Sequence, residues 1–182
     1  MGVDPTLWTL SAATSAEQIF EPSEQQLLEL RVLNNGRSPA KWSVESSSEG
    51  LYLKGEQNTA FGINKFIILC DQKGKLGLYV VFDPQGRQEE AVRFRADSLV
   101  IDGRTYPLSD VLEDKRIING WLNAWYRLTE THLSLIKFAH TVGVTTQLSY
   151  QGAVFLGFNA MPFKGGAEKL SGYLKTCRGS MN

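Results

Sequence analysis

Histidine and cysteine are scarce in this chain. Its 182 residues hold two of each. There is no CxxC pair, so neither a zinc ribbon nor a thiol-redox motif is expected. His132 and His140 stand eight residues apart. On a helix that spacing is about 12 Å along the axis, too far for one metal ion. Charge of a single sign is lacking as well: 19 basic and 19 acidic residues cancel. That balance speaks against a nucleic-acid footprint and against a charged tail. No apolar run approaches the roughly 18 residues of a membrane-spanning helix. The opening MGVDPTLW has neither a basic region nor an apolar stretch, so no signal peptide is expected in it.

Reactive constellations are equally thin. Glu89-Glu90 and Glu113-Asp114 lie in polar, turn-like surroundings, unlike an acid-base pair in an apolar cleft. FGINKF, DQKGKLG and FKGGAEKL hold glycine and lysine without the spacing of a phosphate loop. Gly165-Gly166 ahead of a helix is read as a turn rather than an anion site. No enzyme activity, cofactor or metal is expected.

What the chain does have is a change of period near Trp42. Residues 1–41 form an N-terminal segment. Within it EPSEQQLLELRVLNNG predicts a helix, with Ser23 and Glu24 as capping types and Asn34-Asn35-Gly36 as the stop. Leu27, Leu28 and Leu30 give that helix a small apolar face, suited to docking on its own domain or on a partner. Residues 42–182 form a β-rich domain. WSVE and GLYLKG are short strand candidates. KFIILCD and KLGLYVVFD flank QKGK as a hairpin. AVRFRAD alternates, and Asp102-Gly103 is a two-residue hairpin signal. Arg93, Arg95, Asp97, Asp102 and Arg104 are expected to pair across strands on a solvated face. TETHLSLIKFAHTV predicts a helix with Leu133, Ile136 and His140 on one stripe. GVTTQLSY and AVFLGF predict another strand pair. KGGAEKLSGYLKTC predicts a terminal helix with Ala167, Leu170, Leu174 and Cys177 near one face. Six to eight strands and two helices in the domain imply an antiparallel β-sandwich or curled sheet, mainly β (α+β).

In INGWLNAWYRL, Trp121, Asn123 and Trp125 share one face, and Leu122, Ala124, Tyr126 and Leu128 the other. The tryptophans either form an outward platform, a possible binding face for sugars or proteins, or pack as a core stripe beneath the helix at 129–141. The core is the more ordinary place for tryptophan. Cys70 closes an apolar strand and Cys177 lies on the apolar stripe of the last helix. They are either separate buried thiols or one disulfide. A disulfide, the reading adopted, would close a loop of 107 residues and pin a terminus that otherwise frays. It would also imply an oxidising compartment.

The order of Trp42, FIILC, LGLYVVF, Arg95-Ala96-Asp97, FLGFNAM and a late helix ending in cysteine resembles periplasmic accessory proteins of type VI secretion, the VasI or TagO type. More loosely it is similar to exported proteins of the invasion-associated locus B type. The resemblance spans about residues 42–178. It implies a periplasmic or exported envelope accessory with a protein partner and no catalytic residues. A cytoplasmic protein is the alternative location. A small-ligand or glycan-binding sandwich using Trp121 and Trp125 is the alternative function.

Overall fold

The computed structural model describes residues 5–13, 21–23, 26–27, 30, 38–48, 50–70, 75–152 and 154–179. By contacts the chain divides into two units, Met1–Arg37 and Ser38–Asn182. In the first, helix α1 covers Thr6–Ala12. Further along, Ser23 and Gln26 form a reciprocal cap: the Ser23 N–H donates to Gln26 Oε1 and the Gln26 N–H to Ser23 Oγ. Ser23 thus caps a helical turn, as its residue type predicts. Leu27 is half-buried and Leu30 buried. Leu28, the third member of the expected apolar face, lies outside the described residues.

Among its described residues the second unit holds ten strands, more than the six to eight expected. They are β1 (Lys41–Ser47), β2 (Gly50–Thr59), β3 (Gly62–Cys70), β4 (Leu76–Phe82), β5 (Ala96–Ile101), β6 (Arg104–Pro107), β7 (Leu112–Ile118), β8 (Trp121–Arg127), β9 (Thr141–Gln147) and β10 (Leu156–Pro162). A six-stranded sheet has the order β1-β2-β3-β4-β8-β7, and a four-stranded sheet the order β10-β9-β5-β6. Every pairing is antiparallel. This is the mainly-β sandwich with helices that the alternating runs imply. Helix α2 covers Gln88–Arg93, α3 Glu130–Lys137 and α4 Gly166–Gly179.

Alternation explains the core. Leu53, Phe66, Ile68, Leu78, Val80 and Leu122 point inward from the larger sheet, and Leu99, Val142, Val144, Phe158 and Met161 belong to the smaller. Phe82 and Phe158 meet edge to face at 6.3 Å across the gap. Trp42 anchors the far corner. Its ring meets Phe163 at 4.6 Å, and its Nε1–H donates to Pro162 O at 2.8 Å. A Cβ at Gly55 would overlap the Trp42 ring, so β2 must be bare there. Helix α4 adds Leu170, Tyr173 and Cys177 to the same core.

Cys70 and Cys177 are bonded, with Cα atoms 6.0 Å apart. The bond ties α4 to the end of β3. Asp102 and Gly103 both have positive φ, 49° and 78°, and make the hairpin between β5 and β6. Gly165 also has positive φ, and a Cβ on Gly166 would strike Phe163. The glycine pair is therefore a turn into α4.

Several local expectations are corrected. The alternating AVRFRAD is not a strand: its first part ends α2, and β5 starts only at Ala96. Glu89 and Glu90 lie in α2 and Glu113 and Asp114 in β7, none of them in turns. β7 lacks the alternation that marks a strand, because four consecutive charges, Glu113 to Arg116, interrupt it. Helix α3 ends at Lys137, so His140 leaves the apolar stripe; its side chain is 92% exposed, and Ala139 is buried instead. Trp121 and Trp125 are not a core stripe. Leu122, Ala124 and Tyr126 take the inner face of β8, which leaves the tryptophans on the outer one.

Cys70→Ala is expected to lower stability by about 2–5 kcal/mol under oxidising conditions, the usual cost of losing a native disulfide. Urea unfolding with and without reductant checks this. The variant should match the reduced parent, and a reductant-insensitive midpoint for the parent would refute it.

Candidate functional site

The outer face of the larger sheet is not uniformly polar. Registers place Glu45, Tyr52, Leu69, Gly77 and Arg127 in one row across β1, β2, β3, β4 and β8. The next row is Lys54, Ile67, Tyr79, Trp125 and Asp114. A third runs through Glu56, Lys65, Val81, Asn123 and Arg116. Apolar and aromatic groups fill the middle of the sheet and charges its flanks. Gly77 leaves a hollow in this surface, and the Trp125 indole lies into it: a Cβ at Gly77 would overlap Trp125 Nε1. Around that hollow runs a groove of about 790 Å³. Leu51, Tyr52, Leu69, Tyr79 and Trp125 supply its apolar surface, with Glu113 and Arg127 on its rim.

Each aromatic is held differently. The Tyr52 hydroxyl donates to Glu45 Oε2 at 2.9 Å. The Tyr79 hydroxyl donates to Asn123 Oδ1, and Asn123 Nδ2 donates to Trp121 O at 2.9 Å. Burial pushes the Tyr79 phenol up, so it stays a neutral donor and acceptor. Trp125 is 43% exposed, and its Nε1–H has no partner among the described residues. Glu45 is held down to about 2, first by Lys54, then by Ser43 and Tyr52. Lys54 Nζ sits 2.8 Å from Glu45 Oε1. Arg127 pairs with Glu113. Glu113 and Arg127 on the rim thus pair with each other, Lys75 lies beside them, and the floor is apolar with one donor, the Trp125 indole, open among the described residues. Such a surface can stack, bury apolar groups and donate a hydrogen bond from the Trp125 indole. It offers no nucleophile beside a base. Among the described residues no group of three His, Cys, Asp or Glu side chains could hold a metal ion.

Sequence reading grouped Trp121, Asn123 and Trp125 as one face. Trp125 lines the groove; Asn123 is buried and serves Tyr79. Trp121 is half-buried at the other end of β8, against the turn at Gly62. Tyr52, Tyr79, Leu51 and Leu69 were missed. The signal was present: KFIILC and LGLYVV are apolar on both faces, which in an antiparallel sheet means a covered or binding outer face. The histidines stay apart. His132 closes a capping box with Thr129 at the start of α3, and His140 lies beside Asp102 at 3.5 Å.

Asp97 overturns the expected solvated charge face. It is wholly buried, and its carboxylate meets Lys115 Nζ at 2.6 Å. Lys115 comes from β7 in the other sheet and is 3% exposed. Its ammonium also donates to Phe94 O at 2.9 Å and Thr146 Oγ1 at 2.8 Å. Three acceptors satisfy three protons. Burial draws the Lys115 ammonium down and Asp97 opposes it. Burial, then the Asp97 charge, raises the Tyr126 phenol well above its ordinary range. Asp97 Oδ2 is buried and has no partner in hydrogen-bond geometry among the described residues. The cluster is a structural junction: the pair is buried and every ammonium proton is engaged. Asp102 stays at the surface but, among the described residues, pairs with no arginine; it accepts instead from the N–H groups of Thr141 and His140 at 2.7 and 2.9 Å.

No family model matches the chain, and no curated protein matches it. Among solved structures, the crystal structure of invasion associated protein B from Bartonella henselae is similar in fold. The TM-score is 0.51 at 8% identity, over 76% of this chain and 99% of that one. The looser of the two sequence resemblances therefore holds at the level of the fold.

Lys115→Met should cost about 3–5 kcal/mol by urea unfolding, because Asp97 is left charged and unpaired in the core. Pairing it with Asp97→Leu should recover much of the loss; no recovery would show that Asp97 serves another group. For Glu45 the folded affinity for protons is below the unfolded one. Its stabilisation is complete above the unfolded value of 4.5 and fades as pH falls toward about 2. Glu45→Gln should flatten that part of the acid unfolding profile, and an unchanged profile would contradict the pairing with Lys54.

Proposed function

We propose that this chain is a non-enzymatic binding module of an oxidising compartment, an accessory that holds a protein partner in the bacterial envelope. The observation that carries the reading is the aromatic groove on the outer sheet face, with the Glu113–Arg127 ion pair on its rim. Leu51, Leu69, Tyr52, Tyr79 and Trp125 have the composition of an interface centre, with exclusion of water around apolar anchors. The apolar floor and the Glu113–Arg127 pair suit a protein better than a sugar, because that pair engages two of the groove's charged groups within the chain. The Cys70–Cys177 bond supports an exported location, since such bonds persist where thiols stay oxidised. The similarity of fold to a protein titled invasion associated, and the VasI- or TagO-like order of motifs, support an envelope or secretion-system role. The N-terminal residues Leu27, Leu28 and Leu30 are a second candidate contact for the same partner.

A glycan is the second reading, favoured by one observation: the unpartnered Trp125 indole N–H beside two tyrosines. Affinity capture from envelope extract, comparing the parent with Trp125→Ala, tests the first. A specific protein held by the parent and lost, by about tenfold or more, from the variant is expected, as for a central aromatic anchor. Equal capture by both would remove the groove from the binding. Tryptophan fluorescence titrated with oligosaccharides tests the second: saturable quenching in the parent, missing in the variant, would replace the protein partner with a glycan.

A further inference from the structure

The described residues joining β9 to β10, 148–152 and 154–155, present apolar side chains to water. Leu148 is 71% exposed, Val154 59%, Tyr150 54% and Phe155 44%. The segment is nonetheless built. The Gly152 N–H donates to Ser149 O at 2.9 Å. Gln147 Nε2 donates to Gly152 O at 2.6 Å and fastens the base. The Tyr150 hydroxyl reaches Ser109 Oγ at 2.9 Å and fastens the side. Four large apolar groups within eight residues, on a tethered hairpin end, exceed the scattered exposure normal for a surface.

Its surroundings carry charge. The Arg95 N–H donates to Gln147 O at 3.1 Å, so Arg95 flanks the hairpin base. Arg93 stands two residues before it, at the end of α2. Both are exposed, and neither is in an ion pair with a described carboxylate. Asp110, beside Ser109, is exposed too, so the exposed charges next in sequence to the residues that fasten the tip are two arginines and one carboxylate.

We propose that this hairpin end is a membrane-surface contact: Leu148, Val154 and Phe155 enter the acyl boundary while Arg93 and Arg95 meet anionic lipid headgroups. A tip that projects apolar groups beyond a base suits a soft phase, whereas the groove on the other sheet suits a folded partner. Tyr150 would lie at headgroup depth, with its ring in the boundary and its hydroxyl held by the protein. Each apolar side chain buried contributes on the order of tenfold in partitioning, and each arginine near an anionic surface about fivefold.

The test is sedimentation of the full chain with phosphatidylcholine vesicles, with and without phosphatidylglycerol. Binding is expected with phosphatidylglycerol and should weaken as salt rises. The double variant Leu148→Asp/Val154→Asp should lose it by tenfold or more, and Arg93→Ala/Arg95→Ala should weaken it and blunt the salt effect. Phe138→Asp, equally exposed but before β9 rather than after it, should bind as the parent does. Failure to sediment with either vesicle overturns the proposal, as does tip-variant binding equal to the parent's. Light scattering that shows a dimer dissolved by the tip variants would make the tip a self-association surface and overturn it as well. The groove variant Trp125→Ala should keep vesicle binding, which separates this contact from the partner-binding reading.

Discussion

A charge pair inside an apolar sandwich fixes how the two sheets meet. Asp97 belongs to β5 in the smaller sheet and Lys115 to β7 in the larger one, and their 2.6 Å contact lies out of water. Moving the two sheets past each other would strand at least one charge in the core. That penalty is far greater than the net worth of the pair itself. The surrounding apolar groups could tolerate other arrangements, but the ammonium, with Phe94 O and Thr146 Oγ1 as further acceptors, tolerates one. Packing drives the collapse, and the pair selects which packing is kept.

With the sheets placed, the two faces of the larger sheet take different work. The inner face is filled by Leu53, Phe66, Ile68, Leu78, Val80 and Leu122 and by α4. The outer face keeps Tyr52, Tyr79 and Trp125 around the hollow at Gly77. The disulfide serves both, because Cys70 ends β3 at the groove and Cys177 holds α4 on the core side. Tyr173 links them again, its hydroxyl donating to Leu51 O at 3.0 Å. The helix that closes the core therefore also steadies a strand that lines the groove.

The hairpins were legible because they depend on local chemistry. The turn at Asp102-Gly103 and the runs around Cys70 each announce themselves within a few residues. Asp97 and β7 were not legible. RFRAD looks like a solvated alternation until Lys115, 18 residues later, arrives from the other sheet. The N–H groups that Ser109 and Gln147 engage around Asp97 and Arg95 are likewise contributed from a distance. The same reason separates Trp121 from Trp125. Identical parity along β8 gave them one face, but only their neighbours, Gly62 for one and Gly77 for the other, made one a wedge and the other a groove wall.

By itself the sequence determined the class of the fold, its antiparallel connections, the caps and turns, and the scarcity of reactive side chains. All of these follow from periodicity and residue type over short spans. The tertiary structure decided which face of β8 is buried, that Cys70 reaches Cys177, that Asp97 is internal, and that Tyr52, Tyr79 and Trp125 share one groove. These depend on register between strands far apart in the chain. A shift of one residue would turn each side chain to the opposite face, and no single stretch of sequence carries that information.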